Sequence, residues 1–316
     1  MGASDDGLLG IGELARQADV TVKTVRFYSD HGLLPEAARS PGGHRRYGPE
    51  ALDRLRLIRS LRALDLPLPA VRRVLADEDG AAAGALEDAL AGHLRALGSR
   101  LTALRWREAA LRLVAESPPG QRAERLRLVG ALSTPPSTEP LARFWRAWLP
   151  PRMPARSTAA FLQATVVRPP QEPAPAQVLA FARLHALTTS PCPATGQPQP
   201  RVHRAAGARG AAVLYAGLAE AYELAGAPLR RERRPHPGEA LDCFVAAYAT
   251  AYGVRDTPRF RRGLSRELAA EPRLDRYWEL VAEVTTPPGG RPEPTPGTAH
   301  DWLLAALRAQ QADADG

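Results

Sequence analysis

The sequence predicts a mainly α-helical chain: a head of short helices, one long heptad-patterned helix and an all-helical C-terminal region. Three observations predict it. Apolar residues recur at helical spacing almost throughout, while alternating strand patterns are nearly absent. Leucines fall seven apart from Leu90 to Leu111. Prolines and glycines cut the rest into short segments. A chain of 316 residues is long for one core, so about two domains plus connectors are expected. Hydrophobic residues at 44% and charged residues at 24% are ordinary for a globular protein and exclude a disordered tail.

The first 75 residues read as short elements. Ile11, Leu14, Ala15 and Ala18 share a helical face, Asp19-Val20 breaks it, and Thr21 is a good N-cap for a second helix carrying Val22 and Val25. Gly32 ends that helix. Pro41-Gly42-Gly43 is a turn between two short extended arms within Pro35–Tyr47. Pro49-Glu50 restarts a helix with Leu52, Leu55, Ile58 and Leu61 in register, and Leu66-Pro67-Leu68-Pro69 stops it before one more short helix over Ala70–Leu75. Ile11, Leu14, Val20 and Val25 are expected core.

From Leu86 to Ala115 the period changes. Leu90, Leu97, Leu104 and Leu111 are seven apart, with Leu94 and Leu101 interleaved, which predicts a coiled-coil seam weakening at Glu108 and Ala115. Arg95, Arg100, Arg105 and Arg107 suit its solvent faces. Ser117-Pro118-Pro119-Gly120 breaks the chain. Helices are then expected over 123–132, 141–148, 176–187, 211–224, 239–252 and 274–284, with Ala164–Val167 the one extended candidate. Proline-rich loops separate them, including Thr188–Pro200. A flexible linker is expected near 286–297, before a last helix over 299–309.

Among 42 basic residues only Lys23 is a lysine, and the formal net charge is +8. That balance favours a polyanionic partner. Residues 1–116 hold 17 basic and 16 acidic side chains, yet Arg39–Arg73 contains nine arginines against Glu50, Asp53 and Asp65. No run approaches the roughly 20 apolar residues of a membrane span, so no membrane association is expected. Met1–Gly7 carries Asp5 and Asp6 and no basic residue, unlike a secretory signal. Cys192 and Cys243 make no disulfide framework, and a cytoplasmic setting is expected.

The run Gly10-Ile11-Gly12-Glu13-Leu14-Ala15, then Val25-Arg26-Phe27-Tyr28, Gly32-Leu33-Leu34 and Gly43-His44-Arg45-Arg46-Tyr47, continuing through Leu52–Leu75, closely resembles the MerR family of bacterial transcription regulators. The resemblance covers about a quarter of the chain. It implies a winged helix-turn-helix head over 1–80, a coiled-coil dimerisation helix over 81–117 and a variable effector domain over 118–316. It further implies a nucleoid-associated homodimer that bends or untwists double-stranded promoter DNA and works with RNA polymerase. A helix-turn-helix sets its second helix in the major groove, where Thr21, Lys23, Thr24 and Arg26 would meet base edges or phosphates. Tyr28 resembles the family's phosphate-contacting tyrosine, while Phe27 stands where tyrosine is common, losing one hydroxyl. His44, Arg45, Arg46 and Tyr47 follow the glycine turn as a DNA-contacting wing requires, with packing and a phosphate bond equally open for Tyr47. Leu90, Leu94, Leu97, Leu101, Leu104 and Leu111 would pair the two copies.

Some relatives sense metals or oxidants through cysteines ending the dimerisation helix; Leu111–Gly120 has none. The histidines at 31, 44, 93, 185, 203, 236 and 300 include no pair at metal-ligand spacing, so neither metal nor cofactor is expected. The remaining mode is an organic small molecule held by C-terminal aromatics, with Trp145, Trp148, Tyr248 and Trp278 as the chosen contacts. Aromatics at helical spacing are more often core. A dimer without ligand, whose C-terminal half mediates protein contacts, is the alternative. His236-Pro-Gly-Glu239 with Asp242 and Cys243 imitates a catalytic cluster, but no nucleophile elbow, phosphate loop or metal motif surrounds it, and no catalytic residue is assigned.

Overall fold

A computed structural model describes residues 7–76, 82–150, 152–190, 207–268 and 272–315. Met1–Asp6, Cys192, His203 and most of Thr188–Pro200 lie outside the described residues. The chain forms two compact units, Met1–Ser99 and Arg100–Gly316. Among the described residues there are three short strands and fourteen helices.

The first unit begins with β1 (Leu9–Gly10), α1 (Ile11–Gln17) and α2 (Val22–Asp30), followed by β2 (Ala38–Arg39), β3 (Arg45–Tyr47), α3 (Glu50–Ala63) and α4 (Leu68–Leu75). Asp19 takes a left-handed φ of 53° between α1 and α2, making the tight turn. The Thr21 side chain caps α2 by accepting from the Thr24 N–H at 3.1 Å. Gly32, at φ 68°, ends α2 in the left-handed conformation. Gly43, at φ 77°, closes the hairpin, where its N–H donates to the Ser40 carbonyl and the Ser40 N–H donates to His44. β3 pairs antiparallel with β2 and with the unanticipated β1, setting Leu9 against Tyr47. Leu14, Val25, Leu34, Leu55, Ile58 and Val71 are fully buried in one core. Each such side chain contributes roughly 1.5–3 kcal/mol.

The arginines between 39 and 73 are partly structural. Arg54 donates to the Leu33 and Leu75 carbonyls, Arg72 to the His31 carbonyl at 2.7 Å, and Arg59 and Arg62 to those of Ala18 and Leu66. The Ala18, His31 and Leu75 carbonyls lie at helix ends, where intrahelical donors run out, and those of Leu33 and Leu66 lie three residues past α2 and α3. Much of this local positive charge therefore closes helices.

α5 (Ala82–Ala115) runs unbroken through the junction of the two units. The second unit adds α6 (Pro119–Gly130), α7 (Glu139–Trp148), α8 (Ala155–Thr165), α9 (Pro175–Thr189), α10 (Gly207–Arg230), α11 (Glu239–Tyr252), α12 (Pro258–Glu267), α13 (Pro272–Thr285) and α14 (Pro296–Asp315). It has two cores. One joins Trp106, Ala109 and Leu113 of α5 to α7, α9 and α13 through Leu141, Trp145, Phe181, Leu184 and Tyr277. The other joins α10, α11, α12 and α14 through Leu214, Leu241, Phe244, Tyr248, Leu264 and Leu303. Buried Gln177 ties α9 to α13, donating to the Val284 and Thr286 carbonyls while its oxygen accepts from the Ala174 N–H. Tyr277 donates to the Thr165 carbonyl at 2.7 Å.

Several sequence expectations need correction. Ala164–Val167 is not extended as a whole, because α8 runs to Thr165. α12 was not anticipated. α10 and α14 extend beyond their expected ends, and the break at Pro118-Pro119 is the start of α6, with Pro119 in its first turn. Residues 286–295 carry no helix or strand, as a connector would, though Thr295 is buried and bonded to Thr298.

Candidate nucleic-acid interface and effector cavity

α2 is packed on one side by Val25 and Tyr28 and leaves Thr21, Lys23 and Arg26 exposed on the other. Thr24 is half-buried, and its hydroxyl lies 2.8 Å from that of Thr21. Thr21 thus spends its hydroxyl on the cap, and the long cations Lys23 and Arg26 reach furthest from this helix. Tyr28 keeps its ring in the core, edge-on to Phe27 with centroids 5.5 Å apart. Exposed Phe27 stacks on His31 at 4.1 Å, a pair the sequence reading did not single out.

The wing residues differ among themselves in exposure. His44 is exposed at the turn. Arg45 is held by Asp30 at 2.6 Å and Glu36 at 3.3 Å, and its bond to Asp30 raises its pKa further. Its charge is thus countered within the head by Asp30 and Glu36, tying β3 to the end of α2. Arg46 is half-buried in the ladder opposite Gly10 and Ala38. Tyr47, open between packing and phosphate contact in the sequence, is packed: its side chain is 0% exposed.

The leucine seam divides along α5. Leu90 packs partly against the head core, while Leu94, Leu97, Leu101, Leu104 and Leu111 are exposed, Leu94 by 68% and Leu111 by 72%. Trp106, Ala109 and Leu113 are buried on another face.

Between the two cores of the second unit lies a cavity of about 1570 Å³. Trp145, Trp148, Tyr248 and Trp278 all line it, brought together from α7, α11 and α13. Phe161 and Tyr215 extend the wall, with ring centroids at 5.7 Å from Trp278 to Trp145, 5.5 Å from Trp145 to Phe161 and 4.5 Å from Phe161 to Tyr215. Gly297 is required here, because a Cβ on it would fall 2.1 Å from the Trp278 ring. Polar lining residues missed in the sequence include His300, whose Nδ1 is 3.0 Å from the Tyr222 hydroxyl, together with Asp275 and Asp301. Burial pushes the His300 pKa down to about 4 and pushes the Tyr215, Tyr222 and Tyr248 hydroxyls up. Asp301 is raised by burial first and by Asp275 second, with Arg308 opposing. A spacing of three places Asp275 and Trp278 on one face of α13, a signal legible once the helix is known.

The imitation catalytic cluster is dispersed. Asp242 pairs with Arg261 at 2.8 Å, Cys243 donates weakly to the Gly217 carbonyl, and His236 packs edge-on to Trp302. Among the described residues no group of three His, Cys, Asp or Glu side chains could hold a metal ion, and no helix is long and apolar enough to cross a membrane.

Residues 9–78 match the family model described as MerR HTH family regulatory protein. The chain is similar to the nodulation protein NolA of Bradyrhizobium sp. strain NC92, 42% identical over 27% of this chain and 34% of that protein. It is likewise similar to the transcriptional regulator BrlR of Pseudomonas aeruginosa, 42% identical over 26% of this chain and 28% of that one. The chain thus spans about a third of the length of these curated relatives. A crystal structure of the transcription regulator PbrR691 from Ralstonia metallidurans CH34, in complex with lead(II), is 39% identical over 34% of this chain and 84% of that chain, at a TM-score of 0.31. The matched residues carry the whole helical head and its three-stranded hairpin sheet, and they form a MerR-family helix-turn-helix domain.

Proposed function

We propose that this chain is a homodimeric, sequence-specific DNA-binding regulator of transcription that distorts promoter DNA in response to an organic small molecule. The observation that carries the reading is α2, packed firmly on its Val25 face and presenting Lys23 and Arg26 outward from a MerR-family domain. Two cations at the start of a helix of this motif suit guanine edges and phosphates. The five exposed leucines of α5 would pair two copies, doubling the bases read. Sensing is assigned to the cavity through Trp145, Trp148, Tyr248 and Trp278, and RNA polymerase would be the partner at the promoter. A deep, mostly apolar cavity favours a sensor over a protein-contact scaffold. Footprinting of the purified protein on its own upstream region, with and without organic ligands, tests this. A protected two-fold site whose pattern changes with ligand is expected. Absence of any protected segment overturns the reading.

A further inference from the structure

The outward face of α2 carries a large apolar ring among its charges. Lys23, Phe27 and His31 recur every four residues along α2 and its C-terminal cap, so they form one stripe. Val22 and Arg26 form the neighbouring one, and buried Val25 and Tyr28 turn both stripes away from the core. The Phe27 ring is 42% exposed. Its orientation is set from within the head: His31 stacks on it with centroids 4.1 Å apart, and Tyr28 meets it edge-on. His31 is itself fastened, donating from Nδ1 to the Phe27 carbonyl at 2.8 Å and accepting at its own carbonyl from Arg72 of α4. Resting on the reading of α2 as the DNA-reading helix, we infer that Phe27 is a specificity-determining residue that reads the 5-methyl group of a thymine in each half-site.

The chemistry of the ring selects its target. Unlike Lys23 and Arg26, a phenyl ring has no donor for a phosphate or a base edge. Base pairs present donors and acceptors in the major groove, and the thymine methyl is the one apolar group there. An apolar ring laid on a donor or acceptor strips its water and returns no hydrogen bond. Laid on the methyl, it buries apolar surface on both sides. The surrounding charge fits the same occupant. Lys23 and Arg26 are exposed beside the ring, while Asp30, the acid on this face, is paired with Arg45 at 2.6 Å. A duplex supplies the anionic backbone those two cations need. A ring already held by His31 and Tyr28 also loses little side-chain freedom when it docks.

Fluorescence-anisotropy titration of the full-length protein tests this, on duplexes carrying the site footprinted in its own upstream region. Thymines are replaced one at a time by deoxyuridine, which keeps every hydrogen-bonding group and removes only the methyl. One thymine per half-site is expected whose replacement weakens binding about fourfold, the worth of one buried methyl. Phe27→Ala should bind the natural duplex more weakly, and should bind it and that deoxyuridine duplex equally. An effect of the methyl on duplex shape alone would persist in the variant, so the comparison separates the two causes. The inference is overturned if no replacement weakens binding, or if Phe27→Ala keeps the discrimination, as it would were Val22 the reader. Both results leave DNA binding standing. Unchanged affinity of Phe27→Ala for the natural duplex overturns it too, and turns the ring toward a protein partner. Absence of any protected site brings down the DNA-binding reading itself. The deoxyuridine series needs no variant, so it can refute the inference even if Phe27→Ala fails to fold.

Discussion

If two copies pair through α5 as proposed, replacing Leu97 and Leu104 with glutamate should convert that dimer to a monomer. Both leucines lie on the exposed stripe of α5, which also carries Leu94, Leu101 and Leu111, at 39–72% exposure in the single chain. Burying what remains open of such a side chain is worth about 1–2 kcal/mol. A symmetric pair of double mutants loses four of these leucines, so about 4–8 kcal/mol disappears before any repulsion among the new carboxylates is counted. That corresponds to roughly three to six decades in the dimer dissociation constant. Light scattering after size exclusion at micromolar concentration should therefore report a monomer, and operator binding should collapse. Helicity and thermal midpoint of the isolated chain should hardly change, because glutamate is a good helix former and neither position belongs to a core. A double mutant that stayed dimeric would refute the reasoning and move the interface elsewhere.

Arg26→Ala should cost about 1–3 kcal/mol at the operator and relax base discrimination in competition binding; a loss equal on all sequences would place Arg26 on the backbone instead. Because Arg45 is already countered by Asp30 and Glu36, Arg45→Met should leave the logarithmic salt dependence of DNA binding nearly unchanged, whereas Lys23→Met should shallow it by about one. Gln177→Leu should lower unfolding free energy in urea by about 2–4 kcal/mol, since it strands two carbonyls and one N–H. His300 is held down to about 4 in the folded protein, against about 6.5 unfolded, so it resists protonation only when folded. Its contribution is fully present above pH ~6.5 and is lost as pH falls toward 4, amounting to about 3 kcal/mol. His300→Gln should flatten that decline in thermal melts.

The head was legible because its signals are local. Thr21 as cap, Gly32 and Gly43 in left-handed turns, and Pro49 before a helix each act within a few residues. Charge was harder. Arg45 beside a glycine turn looks available in sequence, and only the fold brings Asp30 and Glu36 onto it. α8 gave little signal because Ser157, Thr158 and Thr165 weaken its propensity and, with Thr165 its one buried residue, no buried apolar stripe marks it. α12 has few apolar residues; its Thr257 cap and Arg261, anchored by Asp242, Asp256 and Gln310, fix it instead. The four chosen aromatics do converge on one cavity, but the cavity itself, lined from α7, α8 and α10 to α14, has no sequence signature.

One consequence concerns how such chains can be recombined. Trp106, Ala109 and Leu113 of α5 belong to the core of the second unit, where Trp106 stacks on Phe181 and donates to the Pro170 carbonyl, and Arg105 pairs with Glu172. The proline break at Ser117 therefore looks like a natural suture and is a poor one. A graft made there would deliver a C-terminal region with an open slot and leave an orphaned tryptophan on the donor head. A transplantable cassette has to begin near Arg100, carrying its own stretch of helix as the plug for that slot. Any foreign head would then be joined within a continuous helix rather than at a loop.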